Sequence, residues 1–405
     1  MDPNERESMN TPQPTSQFPP VLLLPVVDAH HAWSALLLEV LGAFDGNVLT
    51  RLFGEFGLYG ALDTFPCIVS LPDPASLVGE LAGLLPADRV VLRVPAAVCA
   101  DPAHRDALQQ LRDTGFRLMA DGLAAAGTHL GEAITSIALP YPEDALPANV
   151  SAAMARLPGP HLVLGVKTQE QHANGLNMGF NWFIGNYLLH SEKGKEAANP
   201  HHQALLLQLL ALVAADADSH QMEAIFKQDA HLSYQLLKLV NSVAFSLSSK
   251  ITSFSQAITL LGRRQLQRWL QLLLYAHAQG AGTNPLMPRA ALRAELMESM
   301  CAGIGGDREG QDRAYMVGMF SLLDLLFGMT IEEIIAPLNL ADDVALALTE
   351  RSGVLGAHLR VVEAGEGDSG HQLATALADA GIDTTVWAGA LVHAYHWAIP
   401  ISRES

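Results

Sequence analysis

Apolar residues follow two different rhythms along this chain, and the change-over falls near residue 190. In the first part, short and nearly continuous apolar runs recur: VLLLPVVDA, FPCIVSLPD, DRVVLRVP, GFRLMADG, ITSIALPY and PHLVLGV, each closed by Pro, Asp or Gly. Such runs predict strands buried on both faces, because a half-exposed strand would alternate polar and apolar positions. Stretches such as PASLVGELAGLL and HRDALQQLRDTG lie between them with the spacing of amphipathic helices. Strand, helix and strand in succession predict parallel βαβ units. An open doubly wound sheet and a shortened (β/α) barrel both fit, and in either one the functional groups belong at the C-terminal ends of the strands.

Beyond residue 203 helical spacing takes over. Residues 218–279 hold four successive helix signals. Met222, Ile225 and Phe226 share a face behind Asp218 and Gln221, which are spaced like a capping box. Asp229 caps a second helix with the stripe Leu232, Leu236, Leu239 and Val240, and Asn241 with Ser242 ends it. Ser253 and Gln256 open a third helix, Gly262 supplies its left-handed stop, and the fourth runs through Leu266, Trp269, Leu270, Leu273 and Leu274. The polar segment SEKGKEAANPHH separates the two rhythms. The organisation expected is a disordered leader at 1–20, an α/β domain at 21–190, a linker at 191–202 and an all-helical domain at 203–400.

Composition narrows the function classes. Among 405 residues the formal net charge is -18, which argues against direct nucleic-acid binding, since a phosphate footprint needs clustered Lys and Arg. Only 6% of residues are aromatic, which favours helix-rich packing over an all-β sandwich. The apolar run at 205–215 is too short to span a bilayer, and the Pro-rich polar start lacks the basic and apolar regions of a signal peptide. Cys67, Cys99 and Cys301 have no C-x-x-C spacing, so neither a disulfide framework nor a thiolate zinc site is expected. A cytoplasmic location and no membrane span follow.

Candidate chemistry at the strand ends is sparse: Asp28, Ser70 and Asp73, Arg93, Asp121, Pro140 and Lys167. A two-metal hydrolase needs several converging carboxylates, and only Asp28 and Asp121 are suitably placed, each also fitting a turn or cap. His393 and His396 have a metal-compatible spacing without a carboxylate pattern; His30, His31, His201 and His202 border turns. Lys250, Arg263, Arg264 and Arg268 form the one notable basic cluster, read as a solvated helical face. Neither a phosphate loop nor a nucleophile elbow is present in the sequence.

The order DRVVLRV, LRDTGFRLMADGL, ITSIALP and VLGVKTQEQHANGLNMGFNWFIGNYL resembles the second half of an EAL domain, the cyclic di-GMP phosphodiesterase barrel. Gly165, Val166, Lys167, Thr168, Glu170 and Gln171 resemble its E-G-V-E-T-x-E-Q segment, and Met178 to Gly185 its closing L-G-x-D-x-x-Q-G-Y. Carried over position by position, the resemblance implies a degenerate site. The family's metal-binding Asn falls at Ser70, its next Glu at Arg93, and its Asp-Asp pair at Asp121 and Gly122. Its catalytic Lys falls at Ala138, two further Glu fall at Leu164 and Lys167, and its Gln at Ile184. For the first-strand Glu, Leu36 or Leu37 fits the spacing better than Glu39. With a region this short, an incomplete barrel is expected.

The helical block in turn resembles an HDOD domain through Gln228-Asp229, Leu236-Leu237, Asn241-Ser242, Ile251-Thr252-Ser253, Ala257-Ile258 and Leu261-Gly262, with Ala230 in place of the usual Pro. Asp229, Asn241, Ser242, Ser253 and Gly262 are read as structural. Where HD hydrolases keep their metal-binding His-Asp pair, this chain has Ser321 and Leu322, with Asp324 two residues on. Together the resemblances imply a degenerate EAL domain fused to an HDOD domain. The expected role is a non-catalytic regulatory protein acting through unidentified protein partners, without catalytic residue, metal or cofactor. A sensor that binds cyclic di-GMP without hydrolysis is the alternative, and a residual metal-dependent phosphodiesterase using Asp28, Glu39 and Asp121 ranks behind it.

Overall fold

A computed structural model describes residues 18–42, 45–77, 82–83, 85–123, 129–142, 146–147, 149–189, 284–338, 340–367 and 370–404, with isolated positions between 208 and 275. Asp229, Asn241, Ser242, Ser253 and Gly262 lie outside these residues, as do Lys250, Arg263, His201 and His202. Also outside are the leader through residue 17 and the linker. The first four helix signals are represented by scattered positions, of which Met222, Ile225, Leu272 and Tyr275 are buried.

The first half is a closed barrel of strands in the order β1 (Val21–Val27), β2 (Trp33–Val40), β3 (Cys67–Ser70), β4 (Val90–Pro95), β5 (Arg117–Asp121), β6 (Ile134–Pro140), β7 (Leu162–Leu164) and β8 (Trp182–Phe183). Six of these are the apolar runs of the sequence. The two additional strands explain why the barrel closes rather than remaining incomplete. WSALLLEV forms β2, antiparallel to β1 with Val21 opposite Val40. The two-residue β8 pairs in parallel with β7 and antiparallel with β1. From β2 through β8 all neighbours are parallel.

The reversed first strand changes the expected site. The turn after β1 leads into the N-terminal end of β2, so Asp28 lies at the N-terminal end of the parallel strands, away from Ser70, Arg93 and Asp121. There its Oδ1 accepts the amides of His30 and Ala32 at 2.8 and 3.0 Å, which is the work of a turn aspartate. Asp73 has a similar local role, capping the amide of Ala75 at 2.9 Å. Between strands, α1 (Arg105–Asp113) buries Leu108 and Leu111 against the barrel, and α2 (Gln169–Met178) buries His172 and Gly175.

The described helical part runs through α3 (Leu286–Gly303), α4 (Arg308–Phe320), α5 (Asp342–Glu350), α6 (Gly353–Gly365), α7 (Gly370–Ala380) and α8 (Thr384–Glu404), with shorter helices between α4 and α5. A capping box of Thr330 and Glu333 opens one of these short helices. Gly318 lets α4 approach α3 closely: a Cβ there would meet Ala294 Cα at 2.6 Å. α8 returns to the barrel. Trp387, Ala388, Tyr395 and Ala398 are all essentially buried and join one continuous core with β1 and β2. Among the described residues no single helix is long and apolar enough to cross a membrane.

Candidate functional site

Four side chains from successive parallel strands meet at the C-terminal mouth of the barrel. Arg93, at the end of β4, donates Nη2 to Glu39 Oε1 on β2 at 2.6 Å, and its Nε stands 3.5 Å from Asp121 Oδ2 on β5. Ser70 on β3 donates its hydroxyl to Glu39 Oε2 at 3.3 Å. The pairing register sets this meeting: Ser70 lies opposite Arg93, and Pro95 opposite Asp121. The Arg93 side chain is 10% exposed, against 26% and 37% for its two acidic neighbours, so a nearly buried cation sits beneath two partly open carboxylates.

Glu39 is the member that sequence spacing misplaces. Leu36 and Leu37 are fully buried, and Glu39 is the β2 residue whose side chain reaches the mouth. Ala138 is buried in the wall beneath the mouth, while Lys167 and Pro140 are exposed at its rim. Lys167 is followed by a side-chain cap: Thr168 Oγ1 accepts the amide of Gln171 at 3.1 Å, and Gln171 Oε1 accepts the amide of Lys167 at 2.7 Å. The Lys167–Gln171 segment therefore fixes the start of α2. A divalent metal pair does not fit this donor set, since Glu39 and Asp121 both face the guanidinium of Arg93, and no cluster of three or more metal-ligating side chains occurs among the described residues.

A second charged assembly ties the barrel to the helices. Arg293 on α3 is buried and forms a two-pronged pair with Glu366, Nε to Oε1 at 2.8 Å and Nη2 to Oε2 at 2.6 Å. Its Nη1 donates to Ser321 Oγ at 2.9 Å, and Ser321 in turn donates to the Gly318 carbonyl at 2.7 Å. Burial alone would raise the Glu366 carboxyl, and the adjacent Arg293 guanidinium outweighs it and holds the group below the ordinary range. One turn earlier, Arg289 donates to the Gly185 carbonyl at 3.1 Å and to Asn186 Oδ1 at 3.4 Å, just after β8. Ser321 thus braces a buried arginine, Leu322 is core, and Asp324 is partly buried. The sequence signal for Arg289 and Arg293 is slight: charges at i and i+4 in PRAALRAELM interrupt an otherwise apolar surface.

The histidines divide by environment. His31, His172 and Tyr187 form a cluster in which His31 Nδ1 lies 2.7 Å from the Tyr187 hydroxyl and His172 stacks on Tyr187 at 4.8 Å. Burial, reinforced by His31, lowers the His172 pKa to about 4, and burial likewise lowers that of His31. His393 pairs instead with Glu295 at 3.1 Å, a hydrogen bond that raises its pKa, while His396 is exposed. Arg264 and Arg268 are not free cations on a solvated face, because both pair with Glu298. Cys67, Cys99 and Cys301 are free and buried, and burial pushes the first two thiols up to about 12.

Residues 200–327 match the family model of the HDOD domain. The cyclic di-GMP phosphodiesterase CdgJ of Vibrio cholerae is 26% identical over 351 residues, covering 83% of this chain and 79% of CdgJ. The uncharacterized protein YuxH of Bacillus subtilis is 31% identical over 189 residues, 45% of each chain. Among solved structures, the EAL domain of Mycobacterium smegmatis DcpA aligns with a TM-score of 0.33 and 18% identity, over 42% of this chain and 91% of that one. The relationship to CdgJ corrects one expectation. Separate motif losses imply a chain without enzymatic activity, whereas a relative aligned over 83% of this chain is named a phosphodiesterase. Separate positions are a poor guide here because the mouth is assembled across strands, as Glu39 shows. The chain joins a closed eight-stranded barrel to a helical region, and residues 200–327 match the HDOD family model.

Proposed function

We propose that this protein works in cyclic di-GMP signalling in the cytoplasm, with the barrel mouth as its nucleotide site and the helical domain as the part that conveys the bound state to a protein partner. The working units are the barrel at 21–190 and the helical domain at 203–400. The observation that carries this reading is the alignment with CdgJ, which is long enough to include both halves of the chain. The mouth supplies compatible chemistry: exposed Lys167 beside the capped start of α2 offers positive charge to a phosphodiester, and the Arg93 assembly supplies a preorganised floor. For the partner surface, Leu346 and Val354, on α5 and α6, are 44% and 69% exposed.

Titration calorimetry of the full chain with cyclic di-GMP, with and without Mg²⁺ or Mn²⁺, tests the nucleotide site, and the same samples are assayed for linear product. Binding in the micromolar range, weakened about tenfold by Lys167→Ala through loss of a charge-assisted contact, is the expected result. Absence of both binding and turnover at millimolar nucleotide would overturn the reading. Product formation would add the activity named for CdgJ.

A further inference from the structure

The barrel has one thin join. β1 and β2 pair along their whole length, whereas β1 and β8 share the single pair Val27–Phe183. The orientation of the remaining β1 edge follows from its register. Leu36 stands opposite Pro25 and donates its amide the other way, to the Pro66 carbonyl. Pro25 is therefore in a non-hydrogen-bonded pair with Leu36, and Pro25, Leu23 and Val21 turn their backbone groups toward β8. Proline has no amide to satisfy there. The carbonyls of Val21 and Leu23 do need donors, and β8 is too short to supply them.

The helical domain supplies them. Trp387 Nε1 on α8 donates to the Val21 carbonyl at 2.7 Å, and the Tyr395 hydroxyl, two turns on, donates to the Leu23 carbonyl. On the opposite lip, Arg289 on α3 holds the Gly185 carbonyl and Asn186 Oδ1. Gly185 is itself pressed on the barrel, since a Cβ there would lie 1.9 Å from the Val166 carbonyl oxygen. A cavity of about 30 Å³ remains between the lips, bounded by Pro25, Ile184, Leu292, Trp387, Arg289 and Glu366.

We propose that this seam is a regulated joint: the helical domain latches both lips of the barrel, and releasing either latch opens the β1–β8 seam while the other strands stay paired. The latch has two discrete states because the carbonyls of Val21 and Leu23 are satisfied either by Trp387 and Tyr395 or by entering water, with no strand partner in between. A change in the helical domain that withdraws α8 opens the barrel wall beside its mouth, and a ligand that binds one state of the seam better shifts the helical domain in return. The latches stand independently of which ligand the mouth takes.

Amide hydrogen exchange on the full chain tests this without any nucleotide. In Tyr395→Phe, and separately in Arg289→Met, the seam-facing amides of Val21, Leu23, Phe183 and Gly185 are expected to exchange about tenfold faster or more, while those of Leu22, Leu24, Trp182 and Ile184, which face β2 or β7, keep their rate. Amides of Val90–Pro95 and Arg117–Asp121 are expected to keep the wild-type rate. Arg403→Ala, which removes an exposed pair with Asp63 from the same α8, is the control and should leave the seam unchanged. Tyr395→Phe deletes one hydroxyl and keeps the packing, so it remains informative where the arginine variant fails to fold. Equal acceleration of all strands, or no acceleration at the seam in Tyr395→Phe, would overturn the proposal.

Discussion

Arg93 reaches across β3 to place its Nη2 2.6 Å from Oε1 of Glu39, while the same guanidinium faces Asp121 on the next strand. The cation and the two acids depend on one another, because removing a nearly buried partner leaves like charges without compensation. Arg93→Met should therefore cost about 2–3 kcal/mol, discounted from the fully buried case for the exposure of the acids. Urea unfolding measures it. Added Mn²⁺ should restore part of the loss in this variant, since the freed carboxylates then suit a divalent cation. An unchanged midpoint would mean that the assembly adds nothing to stability.

The buried Arg293–Glu366 pair predicts a larger, non-additive effect. Arg293→Met strands Glu366 in the core and should cost about 3–5 kcal/mol. The double variant with Glu366→Leu should recover most of that loss, because an apolar pair of similar volume avoids the desolvation cost. Comparing the two by urea denaturation separates the worth of the pair from the penalty of an orphaned charge. Additive losses would contradict direct coupling.

His172 predicts a pH dependence of definite sign. Its pKa falls from 6.5 to about 4 on folding, chiefly through burial and then through His31. The unfolded chain thus binds the proton more readily, and stability that is complete above about pH 6.5 is lost as pH falls toward about 4. His31 contributes in the same direction. Unfolding free energy measured between pH 4 and 7 should slope upward with pH, and His172→Phe should flatten the slope. A slope unaffected by that variant would place the titration elsewhere.

Gly318 predicts a packing limit. A methyl group there would lie 2.6 Å from the backbone of Arg293 and Ala294, where no flexible side chain can yield. Gly318→Ala should lower stability by about 1–3 kcal/mol despite alanine's better helix propensity. Thermal unfolding would show the sign directly, and stabilisation would rule out the close α3–α4 approach.

The strand-forming runs from VLLLPVV to PHLVLGV are readable in the sequence because burial on both faces demands continuous apolar residues whatever their neighbours. WSALLLEV carries the same signal, yet its role is set by pairing with β1 in reverse, and WF at β8 is too short for any period to register. The direction of β1 then decides the fate of Asp28. By residue type it matches Asp121, but it lies at the other end of the strands and caps a turn.

The sequence by itself determined the two rhythms, their order and six of the eight strands, because burial on both faces leaves a continuous apolar record in neighbouring residues. The tertiary structure alone decided that Glu39, Ser70, Arg93 and Asp121 share one mouth, and that Trp387 and Tyr395 complete the edge of the first strand. Strand register and the return of α8 are long-range pairings. No spacing along the chain encodes which charge will meet which, so those contacts exist only once the barrel has closed.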